Sequence, residues 1–440
     1  VTDGASGSGW RPGAAGPGVS ASDPSLGGAG SGGITPHRGV RVVIDVRPLQ
    51  GPERAPATAA YLEGLLGALA ADPLPGESFS LLLASDQDDP TLERWPGLPV
   101  VGRRLLPPTR FLRSAALTVD PVLLRGASVG AGWHAERDGA GGAVYHAAAG
   151  ALPLASRIPT VATLLDLAPW QLPGSYQRSA AARLGQRLRA RLLRDAATVI
   201  VPTRAAAADA RRLVRVRAAR LRVVGLAPRA AFVPGAASGA RHERERLGLG
   251  DRYAVYAGRY DARQDLPMLL SALADLAARP APHDVPWPPR VCLIGASPAD
   301  RAALSRAAAR SGIGELIAYA PRLPDPRLAA LVAGARFLVL PVRSETAAFP
   351  ALDALAAGVP VVASAVGSLV ETVGRAGILV EPGDAGRFAS AIEAAWSDDE
   401  LHAGLVAATA ERPARTRTWN DVARETRAVW AEVARPAPLL

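Results

Sequence analysis

FLVLPVRSETAAFPALDALAAGVPVVAS, residues 337–364, is the stretch whose reading decides the fold. Phe337–Pro341 is an unbroken apolar run of strand length. A loop carrying Glu345 follows, and Pro350 opens a helix running to Ala357. Gly358 and Pro360 punctuate the chain around a second apolar run, Val359–Ala363. Strand, helix and strand in so short a span, both strands apolar throughout, predict parallel neighbours buried on both faces.

The same alternation continues outward in both directions. On the C-terminal side a strand is expected at Ile378–Val380, and Trp396 and Trp419–Val433 suggest a final pair of helices. On the N-terminal side lie strands Tyr253–Gly258, Arg290–Gly295 and Leu316–Tyr319, with helices Pro267–Ala278 and Pro298–Ser311 between them. The next helix has Asp325 as its expected cap, Pro326 in its first turn and Gly334 just past its end. Earlier still, strands are read at Val40–Asp45, Ser80–Ala84, Ala143–His146, Thr160–Leu165 and Thr198–Pro202, with helices at Tyr61–Leu69 and Ser175–Asp195.

A chain of 440 residues is too long for one ordinary core. The expected fold is α/β, with two Rossmann-like doubly wound parallel-sheet domains facing a central cleft. Residues 1–38, almost all Gly, Ala, Ser and Pro, read as a disordered tail. Residues 39–230 then form an N-terminal domain, 231–250 a linker and 251–415 a C-terminal domain. Residues 416–440 are a C-terminal helix free to pack back on the first domain.

The net charge of +10 comes from 50 basic residues, every one an arginine. Any phosphate contact must therefore come from arginine or from backbone N–H groups. The arginines are not interleaved with aromatic residues and no nucleic-acid-binding signature appears, so nucleic acid is not an expected partner. Cys292 is the single cysteine. It excludes a disulfide framework, fits a reducing compartment and sits in the strand-like run 290–295, where a buried position is expected. No histidine and carboxylate cluster has metal-ligand spacing, so neither metal nor cofactor is expected. Residues 1–38 lack the apolar core of a signal peptide, and no stretch has transmembrane character. A cytoplasmic location follows, with contact at the inner face of a membrane as an option. The segment 176–195 supplies that option, placing Leu184, Leu188 and Leu192 on one stripe beside Arg183, Arg187, Arg191 and Arg194. Such a helix either lies on anionic lipid or turns its leucines to a core and its arginines to water.

In parallel sheets of this kind, ligands bind at the carboxyl ends of the strands, where helix N-termini point toward anions. Three turns have that placement. Gly258-Arg259-Tyr-Asp-Ala-Arg263-Gln264 follows a strand and offers two guanidinium forks. Glu345 and Asp353 bracket a helix start at Ala348–Phe349, and carboxylates there could accept hydrogen bonds from a vicinal diol. Alternatively, Asp353 only complements the helix dipole. Ser364–Glu371 is a third turn, in which Gly367 permits close backbone approach. In the N-terminal half, His146 ends a strand and could line a ligand site or be a satisfied structural histidine.

These pieces, in this order, resemble the C-terminal half of the retaining, two-Rossmann (GT-B) glycosyltransferases of family four. The motifs are Gly258-Arg259, Glu345 to Asp353, Ala357-Gly-Val-Pro-Val-Val362, Gly367-Ser-Leu-Val-Glu371 and Leu379-Val-Glu-Pro-Gly-Asp384. Over Ile44–Leu49, His146, Thr163–Leu167 and Val199–Thr203 the likeness holds in outline. The resemblance implies transfer of a sugar from a nucleotide diphosphate donor to a saccharide or lipid-linked acceptor, with retention of configuration and no metal. By that analogy Arg259 stabilises the departing diphosphate and Glu345 contacts the sugar. Arg263 and Gln264 stand beside the phosphates, the Ala348–Phe349 helix end holds phosphate or sugar, and Asp353 meets the ribose. Leu323 lies beside the base, while His146 and Asp166 face the acceptor. The chain departs from the family at Gln264 (a lysine), Asp353 (a glutamate), Ala348 (a glycine) and Leu165 (a histidine). These departures open a second reading, a catalytically weak or inactive relative that binds nucleotide sugar or serves as a partner subunit. A sugar-nucleotide epimerase of the same architecture is a third.

Overall fold

The computed structural model describes residues 39–109, 112, 116–137, 142–148 and 151–434; the tail expected over residues 1–38 lies outside them. Seven strands form the first sheet: β1 (Arg41–Asp45), β2 (Ser78–Ala84), β3 (Val100–Leu106), β4 (Ala143–Ala148), β5 (Thr160–Thr163), β6 (Thr198–Val201) and β7 (Leu221–Val223). Their order is β3-β2-β1-β4-β5-β6-β7, and every pairing is parallel. The second sheet contains β8 (Ala254–Tyr256), β9 (Val291–Ile294), β10 (Ile317–Ala320), β11 (Phe337–Leu340), β12 (Val361–Ser364) and β13 (Gly377–Val380). It is likewise parallel, in the order β10-β9-β8-β11-β12-β13. Two Rossmann-like sheets are thus present, as the apolar strand runs require. In each, strand order reverses at a switch point, β1/β4 in one and β8/β11 in the other, where such sheets open a crevice.

The strands at these switch points are buried end to end, because helices cover both faces. The helix Trp419–Ala434 leaves the second domain and packs on the helix Pro56–Ala71 of the first. Gly64 makes room for it, since a Cβ there would lie 2.0 Å from the Trp419 indole. Deeper in, the Trp430 Nε1 donates to His146 Nδ1 at 2.8 Å.

Several local expectations change. The edge strand β3 and the helix Ala116–Arg137 are absent from the sequence reading. Arg103 and Arg104 interrupt the apolar pattern of the strand, and Pro121 and repeated glycines obscure the helix. Asp325 does not cap its helix. It is the first helical residue, Pro324 precedes it without a side-chain cap, and its carboxylate takes Arg229 instead. The segment 231–250, expected as a linker, contains the helix Ala240–Arg246, which packs against Asp325–Ala333. Its buried Glu243 accepts two hydrogen bonds from Arg327, at 2.6 and 3.0 Å. The helix expected over 176–195 begins only at Ala180, capped by Ser179, whose hydroxyl accepts from Ala182 N–H at 3.1 Å. Leu192 is buried and Leu188 half-buried, but Leu184 is 60% exposed, in line with exposed Arg183, Arg187, Arg191 and Arg194. Among the described residues no helix is long and apolar enough to cross a membrane.

Candidate functional site

The loops that leave the carboxyl ends of the two sheets meet one another. From the second domain come residues 257–265 after β8, 341–348 after β11 and 365–368 after β12. From the first come residues 164–177 after β5 and Thr203–Ala205 after β6. Thr346 Oγ1 accepts from the Leu167 N–H at 3.1 Å, and Ser344 Oγ donates to Gln171 Oε1. The Thr203 and Ser368 hydroxyls are 2.8 Å apart, and Glu371 Oε2 accepts the N–H groups of Arg204 and Ala205 at 2.9 and 3.2 Å. A carboxylate of one domain therefore caps a helix start of the other.

The two loop arginines are already engaged. Arg259 Nε donates to Asp261 Oδ2 at 2.9 Å. Arg263 gives Nε to Asp261 Oδ1 at 3.0 Å and Nη1 to Asp166 Oδ2 at 2.7 Å, across the domain boundary. The Tyr176 ring lies 5.6 Å from the Arg263 guanidinium carbon, and its hydroxyl donates to Asp261 Oδ1 at 3.3 Å. Burial opposes a charge on Asp261, but the Arg263 hydrogen bonds and both guanidinium charges outweigh it and hold the carboxyl well below its usual range. Burial, helped by the Asp261 and Asp166 charges and opposed by Arg263, pushes the Tyr176 hydroxyl up to about 12. Asp261 and Tyr176 thus join the candidate site, and the sequence reading did not single them out. The only sequence signal was an aspartate flanked at two-residue spacing by arginines. Gln264, beside Arg263, bridges Val342 through its backbone, and its amide oxygen is buried without a hydrogen-bond partner.

Glu345 folds back onto its own helix start. Its Oε1 accepts from the N–H groups of Thr346 at 3.0 Å and Ala348 at 2.9 Å. Burial raises its pKa against the pull of those N–H groups and of Arg263. The Ala348 N–H expected to face a ligand is thus occupied by the chain's own carboxylate. Ala348 sits at φ 55°, left-handed backbone that a glycine adopts more cheaply. At the same helix end, expected to hold phosphate or sugar, the Phe349 ring stacks on Trp419, with centroids 6.3 Å apart.

Asp353, expected to face a ribose, faces Arg229. It accepts from the Arg229 N–H and Nε, each at 2.9 Å, and its Oδ2 is ion-paired with Nη2 at 2.7 Å. With its side chain only 3% exposed, burial raises the Asp353 pKa against the Arg229 charge. Gly258 and Gly367 are glycines for internal reasons. A Cβ at Gly258 would come 2.6 Å from the Tyr256 hydroxyl, and one at Gly367 (φ +50°) would come 2.1 Å from the Glu345 carbonyl oxygen. Leu323 is buried in the core of the second domain rather than open beside the site.

On the other side, Asp166 borders the cleft, but His146 does not. His146 is 0% exposed. Its Nδ1 accepts from Trp430, and its Nε2 lies 3.2 Å from Thr163 Oγ1 and 3.4 Å from the Tyr61 hydroxyl. Burial pushes its pKa down to about 3. It is a structural histidine with the proton on Nε2. Cys292 is buried on β9, its thiol pushed up to about 12 by burial.

Two cavities open elsewhere. One of about 930 Å³, lined by Arg252, Trp287, Arg290 and Ile317, lies at the amino ends of β8–β10. The other, of about 620 Å³, lies at the amino ends of β5 and β6. Both sit at the wrong strand ends for a ligand site in a parallel sheet, and the converging side chains at the carboxyl ends are the better guide. Among the described residues no group of three His, Cys, Asp or Glu side chains could hold a metal ion.

Two Rossmann-like domains meeting through their strand-end loops define the GT-B class of architecture. Residues 251–398 match the family described as Glycosyl transferases group 1, so the second domain is a glycosyl transferases group 1 domain. The solved sucrose-phosphate synthase from Thermosynechococcus elongatus superposes with a TM-score of 0.68 at 21% identity, covering 90% of this chain and 99% of that one. Anabaena HepE, solved in complex with UDP, superposes at 0.62 and 17%, covering 90% and 100%. In sequence, D-inositol 3-phosphate glycosyltransferase 1 of Catenulispora acidiphila is 35% identical over 198 residues, 42% of this chain and 46% of the relative. The Jonesia denitrificans D-inositol 3-phosphate glycosyltransferase is 33% identical over 210 residues, 46% and 48%. The match therefore spans about half the length of these curated relatives.

Proposed function

We propose that the chain transfers a sugar from a nucleotide diphosphate donor to a saccharide or lipid-linked acceptor, with retention of the anomeric configuration. The observation that carries this reading is the coincidence of the matched segment 251–398 with the strand ends bearing Arg259, Arg263, Gln264, Glu345 and Asp353. In this reading Arg259 and Arg263 receive the diphosphate and stabilise the charge that develops on it as it leaves. Glu345 meets the sugar through its remaining oxygen, and Asp353 reaches the ribose once Arg229 yields. The test is incubation with a panel of nucleotide sugars and acceptors, phosphorylated inositol among them, with anomeric configuration read by NMR. Consumption of one donor with a glycosylated product, abolished in Arg259→Ala, is expected. A folded protein that neither binds nor turns over any donor refutes the reading.

One observation favours a second reading, that of a nucleotide-sugar-binding partner subunit with weak or no turnover. Asp261 pairs with both loop arginines, Asp166 supplies the second negative charge, and Gln264 adds none. Donor binding by calorimetry without transfer to any acceptor would select it.

The exposed arginine row Arg183, Arg187, Arg191 and Arg194, with Leu184 among them, supports peripheral contact with anionic lipid at the cytoplasmic face of a membrane. Co-sedimentation with phosphatidylglycerol vesicles but not phosphatidylcholine vesicles is expected, lost in Arg183→Glu/Arg187→Glu. Equal recovery with both lipids refutes it.

A further inference from the structure

We propose that Asp166 is a gating residue that the donor displaces: it holds Arg263 across the cleft and gives it up to the donor's diphosphate. The inference rests on the nucleotide-sugar reading of the site. Within the loop 258–264 the cations are Arg259 and Arg263 alone. Arg259 is committed to Asp261. The Arg263 guanidinium is shared between Asp261, two residues away on its own loop, and Asp166, which belongs to the opposite domain.

These two partners differ in how easily they let go. Asp261 also accepts the Arg263 backbone N–H at 3.0 Å and the Tyr176 hydroxyl, so it moves with the loop and stays. Asp166 divides its two oxygens. Oδ1 accepts from the Ala168 N–H at 2.9 Å, holding its own turn, while Oδ2 serves Arg263 at 2.7 Å. Withdrawal of the Arg263 guanidinium from Oδ2 leaves the Oδ1 bond, and with it the turn, intact. Asp166 is 33% exposed and Asp261 32%, so water reaches both carboxylates and the difference between them lies in their hydrogen bonds. A diphosphate offers more charge than one carboxylate and can take the guanidinium in a two-pronged fork. Donor entry then trades a cross-domain ion pair for a protein–phosphate pair. The apparent affinity carries the cost of breaking the first.

Calorimetric titration with UDP, GDP, ADP and inorganic pyrophosphate tests this. Asp166→Asn keeps the Oδ1 acceptor for the Ala168 N–H and removes the charge; Asp166→Ser, with an oxygen able to cap the same turn, replaces it if the amide variant does not fold. The nucleoside diphosphate that wild type binds is expected to bind about tenfold more tightly to Asp166→Asn. In an Arg263→Ala background the gain should vanish, which a merely structural role for Asp166 would not produce. Unchanged or weaker binding by Asp166→Asn, where wild type binds, overturns the exchange and leaves the donor-site reading standing. A gain that persists without Arg263 also overturns it. Absence of nucleotide binding by both wild type and Asp166→Asn overturns the donor-site reading, and the exchange with it.

Discussion

Replacing Arg229 by methionine keeps the aliphatic stem and the backbone N–H but deletes the guanidinium that faces Asp353. The carboxylate, 3% exposed, then retains one of its two hydrogen bonds from this residue, the one from the N–H at 2.9 Å. Breaking a buried pair by removing one partner costs about 3–5 kcal/mol, because the other charge stays behind without compensation. The Arg229 side chain is 25% exposed, so water enters the gap and the low end, about 3 kcal/mol, is expected. The sign of the pH dependence is fixed. Burial already raises the Asp353 pKa in the intact protein, and loss of Arg229 raises it further. The penalty is therefore largest where Asp353 is ionised in the folded state and shrinks as pH falls toward the unfolded carboxyl range. Urea titration followed by tryptophan fluorescence at pH 7.5 and pH 5 measures it, with Arg229→Met/Asp353→Asn expected to recover most of the loss. A deficit under about 1 kcal/mol, or one identical at the two pH values, refutes the reasoning.

Acid should act through His146. Its folded pKa, about 3, lies below the ordinary 6.5, so the neutral histidine favours folding fully above pH 6.5 and progressively less down to about pH 3. The slope is at most about 1.4 kcal/mol per pH unit, and His146→Gln should flatten it in acid denaturation curves. Ala348→Gly should raise stability by about 1 kcal/mol, read as a higher urea midpoint, because it relieves a left-handed residue at φ 55°. Gly367→Ala should cost about 1–3 kcal/mol and displace the Glu345 loop, since its methyl group would meet a backbone carbonyl at 2.1 Å in strained backbone. Unchanged thermal unfolding of Gly367→Ala would contradict that packing.

The sheets were legible because their strands are short, apolar and separated by helices with clear punctuation, as from Phe337 to Ser364. Element identity is a local property there, and residues a few positions apart decide it. The edge strand β3 escaped because it is covered on fewer sides, and its arginines break the pattern. The candidate site was legible only as a set of positions. Arg263 finds Asp166 97 positions away, Asp353 finds Arg229 124 away, and His146 finds Trp430 284 away. Nothing in a loop's own composition states which charge will neutralise it. Hence Arg259 and Arg263 read as available cations, and Arg229 carried no signal at all. His146 shows the same limit, because a polar residue at a strand end looks alike whether a cleft or a returning helix covers it.

That returning helix also orders events during synthesis. Trp430, which completes the bonding of His146 and packs edge-on against Phe79, is made only after the whole second domain. The first domain therefore leaves the ribosome with an open groove along the helix Pro56–Ala71, where Gly64 waits for the Trp419 indole. Its seven strands are all present by Val223, yet the core closes only after the second domain has been translated. The nascent chain must keep that apolar groove from other partners over the interval, and a domain that begins first finishes last.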